Sequence, residues 1–208
     1  MIKFICSAMM PFFILAALPS AHAAPMFFSD RALFDLATGG GLNFESFEAD
    51  FLVSDTLPFT GFTASETGGT NGMGQLRDFP TLVPGAITDG SGGLGYDDNG
   101  SSLGNFLSFT TPITAFGLDV TTSEASTVLI SGSVSSSVGL AAGVPSFWGV
   151  VETAGITSLS FSASGDPNVG FDAVSYGLAQ PSVVPAPASL ALLGLGIACL
   201  GWSRRKKV

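Results

Sequence analysis

The sequence predicts an all-β exported domain, an antiparallel β-sandwich of jelly-roll-like type. One short helix near its N-terminus, an N-terminal signal helix and a C-terminal transmembrane helix complete the prediction. Short strand-like segments separated by Gly, Ser and Pro turns recur at spacings typical of antiparallel sheets. An apolar run lies at each end of the chain, and 46% of the 208 residues are hydrophobic, which is enough for one buried core.

The first 23 residues have the pattern of a secretory signal peptide. Lys3 supplies the positive start, residues 4–18 form an apolar run, and Ala21 and Ala23 place small side chains where signal peptidase requires them. We therefore expect cleavage after Ala23. The alternative, an uncleaved membrane anchor, fits less well because Pro11 interrupts the apolar run.

A short helix is predicted within the sequence FFSDRALFDLATGG. Ser29 is the expected N-cap, and Gly39-Gly40 are expected to end the helix. Its apolar side consists of Leu33, Phe34 and Leu36-Ala37. The hydrophobic period changes after this point, which indicates a transition from helix to strands.

About eight strands are expected in the rest of the domain. Thr111-Pro112 divides two of the strand-like segments, and residues 61–100 are rich in glycine and only weakly periodic. In that glycine-rich region we expect long loops around one or two short strands. The strand-like segments are residues 42–47, 106–109, 113–120, 127–133, 147–151, 156–163 and 169–177.

Charge is strongly segregated along the chain. All 16 acidic residues lie between Asp30 and Asp172, whereas only two basic residues, Arg31 and Arg77, lie in the same region. Residues 24–187 therefore carry 2 minus 16, or −14. This charge repels nucleic acid and anionic lipid headgroups, so we expect no nucleic-acid binding.

The predicted exported domain is poor in catalytic residue types. The single histidine, His22, and Cys6 lie in the signal peptide, and Cys199 lies in the C-terminal apolar run. A Ser-His, Cys-His or His-ligated metal mechanism and a disulfide are then unavailable. A pair of carboxylates is the remaining route to catalysis, which leaves a small glycoside hydrolase as an alternative to a non-enzymatic protein.

Two groups of residues are candidates for ligand binding. Asp97, Asp98 and Asn99 place three oxygen-bearing side chains in one loop, which suits a structural Ca²⁺ ion; a solvated turn is the alternative. Tyr96 and Trp148 are candidates for stacking on sugar rings, and packing in the core is the alternative for both. No cofactor is required by the sequence beyond this candidate calcium ion.

The C-terminal segment predicts a short membrane helix. Residues 188–202 form an uncharged run of 15 residues, about 22 Å as a helix against a hydrocarbon core of about 30 Å. Trp202 suits the interface, and the basic residues that follow act as a stop-transfer signal on the cytoplasmic side. A buried core helix is the alternative. The basic residues are Arg204, Arg205, Lys206 and Lys207.

Val184-Pro185-Ala186-Pro187, the apolar run and the basic end together resemble the PEP-CTERM sorting signal of Gram-negative exosortase substrates. The chain departs from that signal at Ala186, where the family usually has Glu. The resemblance implies a precursor that is held briefly in the inner membrane, cut near Pro185 to Pro187 by an exosortase, and passed to the cell surface or a polysaccharide-rich matrix.

Residues 147–177 resemble the closing strands of exported PEP-CTERM proteins and, more loosely, of jelly-roll carbohydrate-binding modules. This second resemblance implies that Asp172 is a candidate ligand of a structural Ca²⁺, with an ordinary polar strand residue as the alternative. The resulting organisation is a signal peptide (1–23), an exported domain (24–179), a linker with the sorting motif (180–187), a transmembrane helix (188–203) and a basic tail (204–208).

Three functions follow from this organisation. The first is a non-enzymatic surface or extracellular-matrix protein, the second a carbohydrate-binding module that recognises exopolysaccharide, and the third a small glycoside hydrolase. We expect the first, because it needs nothing that the sequence lacks. Its expected partners are signal peptidase, an exosortase-type peptidase and, transiently, the inner membrane.

Overall fold

In the computed structural model, the described residues are 23–49, 54–66, 77–78, 87–97, 105–165 and 168–180. The predicted signal peptide up to residue 22 and all segments from residue 181 onward lie outside them. Within the described residues the chain forms eleven strands and one helix, which confirms the all-β prediction. None of the helical structure among those residues is long and apolar enough to cross a membrane.

The elements differ from the predicted ones mainly in number. Strands β1, β3 and β9 are additional, and the described parts of residues 61–100 contain three short strands where one or two were expected. The order is β1 (Met26–Phe28), α1 (Arg31–Thr38), β2 (Asn43–Glu45), β3 (Thr56–Phe59), β4 (Phe62–Glu66), β5 (Arg77–Asp78), β6 (Leu94–Asp97), β7 (Asn105–Thr122), β8 (Ser126–Gly132), β9 (Ser136–Leu140), β10 (Ser146–Ala163) and β11 (Asn168–Gly177).

Helix α1 is capped by Asp30, so the prediction of Ser29 as N-cap is wrong. Asp30 has extended backbone angles (φ −132°, ψ 122°), and its carboxylate accepts a hydrogen bond of 3.0 Å from the Leu33 amide. An N-cap residue needs both features, because the first amides of a helix have no partner within it. The predicted end is confirmed, since Gly39 adopts the left-handed conformation (φ 74°) typical of a helix C-terminus.

Phe34 anchors α1 on the outer face of the sheet. Gly117 and Gly149 pair directly across β7 and β10, and a Cβ atom at either position would lie within 3.0 Å of the Phe34 ring. This glycine pair therefore leaves the space that Phe34 fills. Leu33 and Leu36, predicted on the apolar side, are instead 58% and 73% exposed, because the eight-residue helix docks mainly through Phe34.

Two pairs of predicted strands are in fact single long strands. Residues 106–109 and 113–120 both belong to β7, and residues 147–151 and 156–163 both belong to β10. The predicted breaks coincide with irregularities in the pairing of these two strands, between Val151 and Ile156 and between Ile156 and Ser158. Pro112 lies opposite these irregularities, where its missing N–H costs no regular ladder bond.

The partners of β7 and β10 change at this point, which divides the sheet into two halves. In the first half, β3, β4, β7, β10, β8 and β9 lie side by side. In the second half, the order is β1, β10, β7, β11, and β11 then pairs with both β2 and β6, with β5 beyond β6. All pairings between these strands are antiparallel.

The two halves pack face to face on one hydrophobic core. Phe161 of the first half lies 4.9 Å from Phe171 of the second, and Phe62 lies 5.2 Å from Tyr176, measured between ring centroids. Both halves contribute to one cluster of buried side chains. Aromatic rings bury large apolar areas, so many of the phenylalanines serve the core, and the predicted antiparallel β-sandwich is confirmed.

Candidate functional site

The sorting motif itself lies outside the described residues, but the structure shows how the residues just before it are held. The Gln180 amide donates a 2.9 Å hydrogen bond to the carbonyl oxygen of Thr38, the last residue of α1. The Ala179 amide donates to Thr114 Oγ1 at 2.8 Å. The chain is thus fixed to both α1 and β7 up to Gln180, four residues before Val184.

Tyr96 and Trp148, the predicted sugar-stacking residues, are buried in the core. Their side chains are 2% and 4% exposed, so neither presents a ring face to solvent. Trp148 packs edge-on against Phe161, and its indole N–H donates to Ser136 Oγ at 3.3 Å. The prediction of a sugar contact at these two residues is therefore wrong, because the register of β10 and β6 turns both side chains inward.

An open groove lies beside Trp148 at the edge of the sandwich. It encloses about 230 Å³, and the ring of Phe27, which is 45% exposed, lies 6.1 Å from that of Trp148. Strand β1 creates this arrangement, since alternate side chains point to opposite faces: Phe27 covers the edge of the core and Phe28 packs on Phe34. The groove is lined by Phe27, Phe28, Ser29, Ser136, Ser137, Val138, Phe147 and Trp148.

The chemistry of this groove is aromatic and hydroxylic. One half-exposed ring lies next to three serines, and the lining includes no carboxylate, imidazole or thiol. An exposed ring offers an apolar face, and serine hydroxyls both donate and accept hydrogen bonds. Sequence reasoning missed Phe27 because β1 has only three residues, and no short apolar triplet can by itself be assigned to a sheet edge.

Asp119 and Asp172 lie directly opposite each other on β7 and β11. Like charges in this position are destabilising unless each finds a partner. Arg31 provides one partner, with a guanidinium nitrogen 3.0 Å from Asp119 Oδ1 and 2.9 Å from the carbonyl oxygen of Ala173. Asp172, which is 2% exposed, accepts hydrogen bonds from the backbone amides of Thr88, Asp89 and Ala173 at 2.6, 2.8 and 2.7 Å.

The space between these two carboxylates is occupied by Thr88. Its hydroxyl oxygen lies 2.6 Å from Asp119 Oδ2 and 3.0 Å from Asp172 Oδ2. A glycoside hydrolase needs two carboxyl groups on either side of an open cleft that admits the sugar. Thr88 leaves no such cleft here, so this pair stabilises the fold by joining the loop before β6 to the sheet.

Two of the predicted calcium residues, Asp97 and Asp172, lie at separate positions in the sheet. Asp97 pairs with Asn168, four residues along β11 from Asp172, which corresponds to about 13 Å along the backbone. Calcium binding by these residues stays a prediction. Asp98 and Asn99 lie outside the described residues, and among those described no group of three acidic, His or Cys side chains could hold a metal ion.

Glu48 also binds the loop before β6. Its carboxylate accepts hydrogen bonds from the Gly92 amide at 3.1 Å and from the amide and hydroxyl of Ser91 at 2.9 Å each. The backbone amides of Gly92 and Ser91, followed by the Ser91 hydroxyl, lower the pKa of the Glu48 carboxyl below its ordinary value. Sequence reasoning did not single out Glu48, since its partners lie more than 40 residues away.

Comparison with known proteins identifies the C-terminal segment. Residues 183–206 match the model of the PEP-CTERM protein-sorting motif, which confirms the resemblance seen in the sequence. No curated protein matches the chain.

Three solved structures illustrate the similarities of the domain. They are the CBM22-1–GH10 modules of Clostridium thermocellum xylanase 10B with xylohexaose (12% identity, 65% of this chain, 28% of that chain, TM-score 0.44), the K2 cleaved adhesin domain of Lys-gingipain (13%, 64%, 98%, 0.45) and a family 29 carbohydrate-binding module (13%, 69%, 99%, 0.37). The chain spans only 28% of the xylanase chain. At these TM-scores, none of the three assigns a ligand or an activity to this chain.

Proposed function

We propose that this chain, which carries a PEP-CTERM protein-sorting motif, is a non-enzymatic exported protein that an exosortase-type peptidase delivers to the cell surface or extracellular matrix. The observation that carries the proposal is the position of the motif. It begins at residue 183, three residues after Gln180, which is hydrogen-bonded to α1 and is the last residue that the structure describes. A compact domain followed at once by a sorting segment is the arrangement expected of cargo.

The proposed route has two cleavages. Signal peptidase cuts after Ala23, the domain folds outside the inner membrane, and residues 188–203 hold the precursor there with the basic tail in the cytoplasm. Pro185 and Pro187 lack N–H donors and favour an extended backbone, which suits entry into a peptidase active site. Cleavage near these prolines then releases the domain.

The absence of a catalytic role is part of the proposal. Asp119 and Asp172 are facing carboxylates of the described residues, and their hydrogen bonds tie them to Thr88, Arg31 and backbone amides. The groove beside Trp148 has no acid or base in its lining. These observations favour a domain with a structural or binding role over a catalytic one.

Carbohydrate binding is a second candidate function, and the groove beside Trp148 favours it. An exposed Phe27 ring next to the hydroxyls of Ser29, Ser136 and Ser137 matches the two faces of a sugar, one apolar and one rich in hydroxyls. An exopolysaccharide of the surrounding matrix is the ligand class that such a groove would bind.

Replacing Arg204–Lys207 by four serines tests the sorting function. Removal of the stop-transfer charges weakens the hold of a short apolar run on the membrane, so we expect reduced membrane retention and reduced surface delivery. A control with four lysines keeps the charge and should behave as the natural chain. Equal surface delivery of the serine and lysine variants would contradict the proposal.

A further inference from the structure

The start of β1 and the end of β11 lie near each other, at one end of the sandwich. Met26 pairs with Val151, Val151 pairs with Ala115, and Ala115 pairs with Gly177, so four residues form one row across β1, β10, β7 and β11. Three strand spacings separate Met26 from Gly177, which is about 14 Å.

The strand directions carry both chain ends out on the same side of this row. Strand β1 starts at Met26 and runs away from the row, to Phe28 opposite Gly149. Strand β11 runs toward the row and ends there, at Gly177. The residues before β1 and those after β11 therefore leave the sheet at the same end, where Gln180 also contacts the C-terminus of α1.

These exit points lie close in sequence to both apolar runs. Met26 follows the expected signal cleavage site, Ala23, by three residues. Gln180 precedes Ala188, the start of the C-terminal apolar run, by eight residues, which span at most about 28 Å when fully extended. Both segments that enter the membrane are thus attached to one end of the domain.

The chain segments around these exit points carry no ionisable side chain, although the domain as a whole is acidic. Glu152, the residue after Val151, is 7% exposed, and its carboxylate accepts a 2.7 Å hydrogen bond from the Ala154 amide. The nearest exposed carboxylate on α1 is that of Asp35, three residues before Thr38. We define the uncharged end by ten residues: Pro25, Met26, Gly39, Gly40, Gly41, Thr153, Ala154, Leu178, Ala179 and Gln180. None of these ten has an ionisable side chain.

We infer that the uncharged end lies against the outer surface of the inner membrane while the precursor is anchored. This orientation rests on the proposed sorting function, since that function supplies the anchor. It places segments without ionisable side chains nearest the anionic headgroups, which repel carboxylates. It also lets the C-terminal apolar run reach the membrane without pulling β11 out of the sheet, and it holds the sorting motif in the gap between domain and membrane.

Fluorescence quenching by lipid headgroups tests this orientation on the full chain. Cys6 and Cys199 are first replaced by serine, and a single cysteine is placed either at Thr153, in the uncharged end, or at Ala125, in the turn after β7. Both positions are exposed and distant in sequence from the apolar runs. Thr122, the last residue of β7, is seven residues from Ala115, so the Ala125 turn lies about 23 Å from the row.

Each variant is labelled with a thiol-reactive fluorophore and reconstituted into vesicles of phosphatidylethanolamine and phosphatidylglycerol that carry a nitroxide on some headgroups. We expect several-fold stronger quenching at Thr153→Cys than at Ala125→Cys. Ala154→Cys and Ala142→Cys are second positions for the two ends, chosen from exposed residues in case a first variant does not fold.

Equal quenching at both ends, or stronger quenching at Ala125→Cys, would overturn the orientation. Failure of the proposed function is a separate result, because loss of C-terminal processing is read from the mass of the protein and not from quenching. The two claims therefore fail independently.

Discussion

Gly39, at the C-terminus of α1, is in direct contact with Gln180. A Cβ atom at Gly39 would lie 2.7 Å from the carbonyl oxygen of Gln180, and Gly39 itself has φ 74°. Glycine is thus needed there for two reasons: the left-handed backbone conformation and the close approach of the exiting chain. The contact fixes the position of Gln180, three residues before the matched sorting motif.

Replacing Gly39 by alanine should destabilise the domain more than the same change at Gly40. Both glycines have φ 74°, but a Cβ atom at Gly40 would meet nothing within 4 Å. We expect a loss of about 1 kcal/mol for Gly40→Ala from backbone strain, and about 1 kcal/mol more for Gly39→Ala from the clash with Gln180. Denaturant melts of the mature protein give both values. Equal losses would show that the Gly39 contact with Gln180 contributes nothing.

Glu48→Gln should lower stability in a pH-dependent way. The pKa of Glu48 in the folded protein lies below its ordinary value of 4.5, so the ionised carboxylate stabilises the fold above pH 4.5, and this stability is lost as the pH falls through the folded-state pKa. We expect a lower Tm than that of the natural protein at neutral pH and a shrinking difference in acid. Glu124→Gln, at an exposed turn, is the control; a Tm difference that stays constant with pH would count against the hydrogen-bonded role of Glu48.

Phe27→Ala should abolish retention on exopolysaccharide gels if the groove beside Trp148 binds sugar. Removing a central aromatic contact weakens binding by about tenfold or more. Phe44→Ala is a matched control, because Phe44 on β2 is also exposed, at 54%, and does not line the groove. Affinity electrophoresis compares the two variants, and equal mobility would remove the carbohydrate proposal.

Calcium binding by the loop that contains Asp98 and Asn99 is tested by thermal melting. The carboxylate of Asp172 is already satisfied by three amide donors, so any calcium effect should depend on the loop. We expect Ca²⁺ to raise Tm above the values in Mg²⁺ and in chelator, since a site with many oxygens prefers the larger ion. Asp98→Asn should remove the increase. Identical curves under all three conditions would refute the calcium proposal.

The main breaks in the strand pattern could be located from the sequence. Whether the chain turns at each break or continues as one strand could not. Pro112 and the polar residues between Val151 and Ile156 interrupt the apolar pattern, and each was expected to separate two strands. In the structure they mark the place where β7 and β10 change partners. A local pattern shows that pairing is irregular, but only the partner strand decides whether the chain turns or continues.

Side-chain direction was the other point that the sequence left open. Phe147 and Trp148 are neighbours in β10, so one had to face the core, and the register with β7 makes it Trp148. The space that the Phe34 ring fills depends on Gly117 and Gly149, which are paired only because of that same register. Such long-range relations leave no local signal, whereas the sorting motif was recognisable because all its parts are contiguous.

Mass spectrometry of the protein recovered from the surface of an exosortase-containing host tests the central claim most directly. We expect a mature chain that begins at Ala24 and ends within residues 185–187, together with an uncut C-terminus in a host that lacks the peptidase. The control Pro185→Leu/Pro187→Leu double variant should keep the C-terminus and stay in the membrane fraction. A surface protein that still ends at Val208 would show that exosortase-type processing does not deliver this protein.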